Sequence, residues 1–315
     1  MSPNGKEYDQ FSYEHSLENL TNLFVVACIP AFNEEKNIGG VVIRALKFVD
    51  RVVVCDDGSS DLTGDIARGL GAIVVRHERN MGYGAALKSS FQEALRLGAD
   101  VVVTLDGDGQ HDPGEIPRLV RRIEKRDVDI VIGSRFIEGG GSEAPGWREN
   151  GIRFISELVS TDGLSVTDAQ SGFRAYNREA LEKFSLTEDG MGASTEILLK
   201  SEDMGFKVAE VPINISYDED SSTHNPIVQG VSVVLSTVKH ISMRRPLLFY
   251  GLPGFLALSI AGVFWAMTIQ EYTIRHTIST NVTLIALSAT LVGLMLMTTG
   301  IILWVLVSVI REKPS

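Results

Sequence analysis

The chain of 315 residues has only two cysteines, Cys28 and Cys55, and both lie inside apolar, strand-like runs. That excludes a disulfide framework, and the pair reads as buried thiols of a reducing compartment. Basic charge is scarce as well: 29 Lys and Arg face 40 Asp and Glu, a formal net charge of −11. Phosphate backbones call for clustered Lys and Arg, so nucleic acid is excluded as the main partner. Residues 1–22 are polar and lack an apolar stretch long enough for a secretory signal; a loose extension is expected there.

Apolar length is concentrated at the other end. Leu247 to Ile269 is 23 residues without a charge, and Asn281 to Ile310 is 30 more. At about 1.5 Å per residue the shorter run already crosses a hydrocarbon core of about 30 Å. Lys239, Arg244 and Arg245 precede the pair, and Arg311 and Lys313 follow it, whereas the connecting loop holds Arg275 offset by Glu271. By the positive-inside rule the pair is a transmembrane hairpin with both outer ends, and the N-terminal domain, on the cytoplasmic side of the cell membrane. Residues 226–245 mix Ile, Val and Leu with a basic end, as in an amphipathic helix lying at the bilayer interface. An ordinary helix packed on the soluble domain has the same pattern.

Residues 23–225 alternate strand and helix. The expected strands are Leu23–Ile29, Arg51–Cys55, Ala72–Val75, Val101–Leu105 and Asp129–Gly133, with helices between them; after Gly139 the rhythm loosens, with a short strand near Phe173 and late strands at Phe206–Val211 and Ile213–Tyr217. Continuous β-branched runs joined by helices imply an open, mostly parallel α/β sheet with helices on both faces. Polar punctuation falls at the C-terminal strand ends: 30–34 after the first strand, 56–59 after the second, 106–111 after the fourth, and Ser134–Arg135 after the fifth. Ligands of open α/β sheets bind outside those ends.

Asp106 and Asp108 flank Gly107, which lets a ligand approach closely. Two carboxylates with the Gln110 amide oxygen suit a hard divalent cation, Mg²⁺ or Mn²⁺, that retains positions for substrate phosphates. Capping of the helix at Pro113 explains Asp112 but neither Asp106 nor Asp108. Asp56 and Asp57 begin an ordinary Asp-Gly turn, and next to a metal pair they gain a second use as acceptors for a base or ribose.

Six segments occur in one order: Pro30-Ala-Phe-Asn-Glu-Glu, Asp56-Asp-Gly-Ser-Ser-Asp, Asn80-Met-Gly-Tyr-Gly-Ala, Asp106-Gly-Asp-Gly-Gln-His, Gly133-Ser-Arg-Phe and Ser171-Gly-Phe-Arg-Ala-Tyr. Together they resemble family 2 glycosyltransferases of the GT-A fold (Rossmann-like), in particular the dolichol-phosphate mannose synthase group and its polyprenyl-phosphate relatives. The resemblance spans about Leu23 to Tyr217, and the two-helix tail is similar to that of membrane-anchored members. It implies that Pro30, Phe32, Glu34, Asp56, Asp57 and Gly107 bind the nucleotide-sugar donor. It implies further that Asp106, Asp108 and Gln110 hold a metal on the donor diphosphate, and that Arg135 faces phosphate. Arg148, Arg153, Ser156 and Arg174 fall where the family meets a polyisoprenyl phosphate acceptor. For Arg174 a pairing with Asp168 that holds the loop is the second reading. For Glu196 contact with the sugar stands beside a helix N-terminal role.

The acidic stretch Ser216-Tyr-Asp-Glu-Asp-Ser-Ser-Thr-His-Asn-Pro226 departs from the basic residues usual in mannose synthases and resembles archaeal dolichyl-phosphate hexosyltransferases that use UDP-sugars. The implied activity is an inverting transfer of a hexose to dolichyl phosphate for protein glycosylation, with UDP-sugars favoured and GDP-mannose the alternative donor. A processive polysaccharide synthase would carry Gln-x-x-Arg-Trp, which is missing. A sugar-nucleotide pyrophosphorylase would carry a basic Gly-rich loop where Asn33-Glu34-Glu35 stands. A non-catalytic membrane scaffold is the remaining alternative of a different class, and intact Asp106 and Asp108 speak against it.

Overall fold

The computed structural model describes residues 23–138, 141–142, 156, 160, 165–215, 242 and 246–311. The chain divides into two compact units at residues 234 and 235. The expected interfacial segment 226–245 lies outside the described residues apart from Ser242.

In the first unit, β1 (Val25–Ala31), β2 (Arg51–Asp56), β3 (Ile73–Arg76) and β4 (Val101–Thr104) alternate with α1 (Ile38–Ala45), α2 (Thr63–Gly69) and α3 (Tyr83–Leu97). A 3₁₀ turn at Pro113–Glu115 leads into α4 (Ile116–Glu124), and β5 (Ile130–Ser134) follows. Later come the short β6 (Gly141–Ser142), β7 (Arg174–Asn177), α5 (Arg178–Lys183), α6 (Ala193–Asp203), β8 (Val208–Pro212) and β9 (Asn214–Ile215).

Seven strands form one sheet in the order β3-β2-β1-β4-β7-β5-β8, and β6 pairs with β9 separately. The sheet is parallel except for β7, which runs antiparallel between β4 and β5. Every residue of β1, β4 and β5 is buried, as strands covered on both faces require. One apolar cluster, with Ile29, Val54, Val103 and Leu119, lies on one face; another, with Cys28, Val53, Phe91 and Tyr176, lies on the other. The expected strands and helices thus appear with shifted ends. The short strand expected near Phe173 is β7, set antiparallel in the sheet, whereas the short α5 has too few residues to carry a periodic signal.

The second unit contains a π-helical turn at Leu247–Gly251, α7 (Leu252–Arg275) and α8 (Thr280–Arg311). The connection is shorter than expected: α7 runs on to Arg275, and His276 ends it in a left-handed conformation with φ 54°. Both helices are long and apolar enough to cross a membrane. They pack on each other through glycine. A Cβ on Gly293 would stand 2.7 Å from Leu258 Cγ, and one on Gly254 would stand 3.0 Å from the Met297 backbone N. Small residues let apolar helices approach closely where no hydrophobic force drives them together.

Candidate active site

The loops after β1 and β2 are clamped to each other at the C-terminal rim of the sheet. The Asn33 N–H donates to Ser59 Oγ at 2.9 Å, the Glu34 N–H to Thr63 Oγ1 at 2.7 Å, and the Glu35 N–H to Asp61 Oδ2 at 3.1 Å. Asn33 adopts a left-handed φ of 56°, which Asn tolerates better than most residues, and its Oδ1 accepts the Ser60 N–H at 2.9 Å. Pro30 is buried within β1, while Phe32 and Glu34 are half-buried at the rim; Glu34 also accepts from the Asn37 amide at 3.1 Å.

Asp56 and Asp57 are both buried, and both brace loops. Asp56 Oδ1 accepts the Ser59 N–H at 2.9 Å, and its Oδ2 lies 3.3 Å from Arg76 Nε. Asp57 accepts the N–H groups of Met81 and Gly82 at 2.9 and 2.8 Å, and its Oδ1 is 2.6 Å from His77 Nδ1. His77 in turn reaches Ser89 Oγ at 2.8 Å. The pair therefore shapes the floor made by 77–82. Gly58, with φ 75°, permits that loop to settle: a Cβ there would lie 2.4 Å from the Arg79 carbonyl carbon.

Asp106 and Asp108 occupy the turn after β4. Gly107 tucks against Pro30 and Ala31, where a Cβ would meet Ala31 Cβ at 3.2 Å. Asp108 Oδ1 accepts the Gln110 N–H at 3.0 Å, tightening the turn, and Asp112 caps the 3₁₀ segment by accepting the Gly114 N–H at 3.0 Å. His111 closes the turn from behind. Its Nδ1 accepts the Asp106 N–H at 3.4 Å and lies 3.6 Å from Asp106 Oδ2. Burial, joined by the nearby Arg135 charge, holds His111 down at about 4 against the pull of Asp108 and Asp168, so the imidazole is neutral.

Asp106 keeps 35% of its side chain open to the crevice. Even so, the packed surroundings push its carboxyl up to about 6, against the lowering charges of Arg135 and Arg174. A carboxylate disfavoured in this way gains from a cation. Among the described residues no three His, Cys, Asp or Glu side chains gather into a metal-binding group. Two aspartates two residues apart on one turn, without a third His, Cys, Asp or Glu, fit Mg²⁺ or Mn²⁺, which takes one or two carboxylates plus substrate phosphates, better than a fully caged ion.

Arg135 is buried and pairs with Asp168: Nε to Oδ2 at 2.6 Å and Nη2 to Oδ1 at 2.7 Å. Arg174 does not make the Asp168 pairing weighed for it. It is 1% exposed and donates to three backbone carbonyls, those of Ser171, Ser194 and Ala169, at 2.8, 2.9 and 2.7 Å. Arg174 thus supports the 168–173 loop from beneath. Ser156 is buried and accepts the Ala169 N–H at 2.9 Å, on the same loop. Arg148 and Arg153 lie outside the described residues.

Glu196 is fully buried and accepts the Thr187 N–H at 2.9 Å, the Thr187 hydroxyl at 2.5 Å and the Glu188 N–H at 2.9 Å, with Lys200 Nζ at 2.8 Å. Burial alone would raise its carboxyl, but these bonds outweigh burial and hold it at about 2. It pins the segment whose Asp189 carbonyl receives the first N–H groups of α3, from Gly84 at 2.7 Å and Ala85 at 3.2 Å. Sequence reasoning missed His77, His111 and Glu210, because the partners of each are distant in sequence or belong to the backbone.

Residues 26–185 match the model of glycosyl transferase family 2. The chain belongs to this family. UDP-N-acetylglucosamine–dolichyl-phosphate N-acetylglucosaminyltransferase of Methanococcus voltae is 31% identical over 69% of this chain and 93% of its own length. Polyprenol monophosphomannose synthase of Mycolicibacterium smegmatis is 35% identical over 61% of this chain and 77% of its own. Crystal structures of glucosyl-3-phosphoglycerate synthase from Mycobacterium tuberculosis share the fold. One, with Mn²⁺, UDP and glucosyl-3-phosphoglycerate, superposes with a TM-score of 0.57 at 22% identity over 76% of this chain and 87% of that one. Another, with Mg²⁺ and UDP, has a TM-score of 0.58 at 22% identity over 77% and 86%. This family 2 glycosyltransferase has the GT-A-like sheet expected from its motifs, and it is an enzyme that transfers a sugar.

Proposed function

We propose that this glycosyltransferase moves a hexose from a nucleotide sugar to a polyisoprenyl phosphate, dolichyl phosphate in type, at the cytoplasmic face of a membrane. The observation that carries the proposal is the presence, in one chain, of an aspartate pair at the sheet rim and two helices apolar enough for a bilayer. Relatives named for dolichyl- and polyprenol-phosphate chemistry support it. They differ in the sugar, and the acidic 216–226 segment favours a UDP-sugar over GDP-mannose.

An acceptor phosphate oxygen bonds to the anomeric carbon, the bond from that carbon to the nucleoside diphosphate breaks, and its electrons leave with the diphosphate. Single displacement inverts the anomeric centre. A phosphate monoester has a second pKa of about 6, so the nucleophile is ionised at neutral pH and needs no strong general base. Asp106 and Asp108, with Gln110, would hold the divalent ion, which supplies positive charge against the leaving group. Pro30, Phe32, Glu34 and Gly107 line the donor side of the rim, and Asp56 and Asp57 fix its floor. Arg135 sets a guanidinium within electrostatic reach of Asp106.

The test incubates membranes carrying the full chain with labelled UDP-glucose, UDP-N-acetylglucosamine and GDP-mannose plus dolichyl phosphate and Mn²⁺ or Mg²⁺. One donor should label the lipid fraction, and Asp108→Ala should abolish that label while the protein remains folded. Metal-dependent transfer by the variant at more than a few per cent of the parent rate would refute the assignment.

A further inference from the structure

Glu210 is a half-buried charged residue beside an apolar cluster. It lies on β8, the outermost strand of the main sheet, in register with Ile132 of β5. Ile132 belongs to a buried cluster with Val166, Ala169, Leu198 and Leu199, against which Val208 of the same strand also packs. An apolar side chain at 210 would satisfy that surface. Burial raises the proton affinity of the Glu210 carboxyl, and the charge of Asp168 adds to the cost of keeping it ionised.

Its oxygens are nevertheless fully engaged. The Thr167 N–H donates to them at 2.9 and 3.0 Å, the Thr167 hydroxyl lies 3.1 and 2.9 Å away, and the Asp168 N–H donates at 3.0 Å. Thr167 is joined as well to Ser134, Oγ1 to Oγ at 2.6 Å. Asp168, fully buried, then holds Arg135 at three points: the backbone N–H at 3.2 Å, Nε at 2.6 Å and Nη2 at 2.7 Å. Residues 134–135 and 167–168 are thus locked together, and a carboxylate on β8, the strand beside β5, sets the lock. A planar guanidinium gripped at two nitrogens has one orientation, which a point-like contact would not impose.

We infer that Glu210 is a positioning residue for glycosyl transfer: through the Thr167–Asp168 backbone it fixes Asp168, and through Asp168 it fixes the orientation of the Arg135 guanidinium near Asp106. The inference rests on the proposed role of Arg135 at the reacting phosphates. Glu210 itself touches no substrate. Its removal lets the 167–168 backbone relax, so the loss falls on the reacting geometry and leaves the donor floor of 56–59 and 77–82 in place.

The experiment uses the full-length enzyme in detergent or membranes, with Glu210→Ala, Glu210→Gln, Arg135→Lys and the Glu210→Ala/Arg135→Lys double variant. Sugar transfer to dolichyl phosphate gives kcat and KM for both substrates, and slow hydrolysis of the donor by water gives a second turnover. Thermal unfolding and calorimetric binding of Mn²⁺ with UDP are measured alongside. Glu210→Ala should lower kcat about 10- to 100-fold with the donor KM within about twofold. Glu210→Gln, which keeps one acceptor oxygen, should fall between. In the Arg135→Lys background, Glu210→Ala should cost less than about threefold more, because both changes disable one device. Fully additive losses in the double variant, a parent-like kcat for Glu210→Ala, or a Glu210→Gln loss that merely follows a lowered unfolding temperature would each overturn the inference. If the parent enzyme labels another acceptor, the proposed acceptor fails, while the same cycle on that acceptor still decides the role of Glu210.

Discussion

Gly172→Ala tests the aspartate site without replacing a titratable group. Gly172 backs onto the Asp106 carboxylate: a Cβ there would stand 2.7 Å from Oδ1, 2.8 Å from Oδ2 and 3.1 Å from Cγ. Ordinary contact begins at 3.4 Å. One of the two partners must therefore yield by about 0.6–0.7 Å. The backbone at 172 is the less free of the two. Thr104 Oγ1 donates to the Gly172 carbonyl at 2.7 Å, Arg174 Nε holds the Ser171 carbonyl at 2.8 Å, and the Gly133 N–H holds the Phe173 carbonyl at 2.8 Å. Gly172 does not use a left-handed φ, so alanine brings no backbone strain. The Asp106 side chain, open to the crevice, moves instead. Productive sites tolerate about 0.5 Å, and about 1 Å of displacement costs about 100-fold, so turnover should drop about 10- to 100-fold. The assay is sugar transfer against Mn²⁺ concentration, with hydrogen exchange of β1 and β4 amides as a measure of folding. The half-saturating Mn²⁺ concentration should rise while core exchange stays within about threefold of the parent. Parent-like turnover at parent-like Mn²⁺ would refute the placement of Asp106 as an ion-holding carboxylate.

Two further perturbations have defined signs. Glu196 titrates at about 2 in the fold against an ordinary value of 4.5, so its stabilisation is complete above pH 4.5 and is lost as pH falls towards 2. At about 1.36 kcal/mol per pH unit, Glu196→Gln should cost about 3 kcal/mol at pH 7, with the parent and variant converging below pH 4; parallel denaturation curves across that window would contradict the bonding described. Both native cysteines are buried, so a Ser279→Cys variant carries a single reactive thiol in the α7–α8 connection. A membrane-impermeant maleimide should label it in intact cells from outside, and labelling only after lysis would reverse the proposed orientation.

The sheet was legible because a buried parallel strand must be apolar throughout. Val25–Ala31, Val52–Cys55 and Val101–Val103 show this pattern without their neighbours. The turn at 106–111 was legible for the opposite reason: a run of polar residues directly follows an apolar strand and marks its C-terminal end. Asp57 shows where such reading stops. Its type and place on a strand end fit a base or ribose acceptor, yet its oxygens meet the N–H groups of Met81 and Gly82, and no local pattern announces bonds across 24 and 25 residues.

Composition and spacing alone thus settled the alternation of strands and helices, the rim at which polar residues gather, and the two apolar C-terminal helices, since each depends on local hydrophobic period or length. Which arginine meets Asp168, and that Glu210 stands behind the pair, were decided by the antiparallel insertion of β7 between β4 and β5 and by the parallel register of β8 on β5. Charged partners brought together over more than 30 residues are chosen by strand order, and strand order is a property of the folded chain.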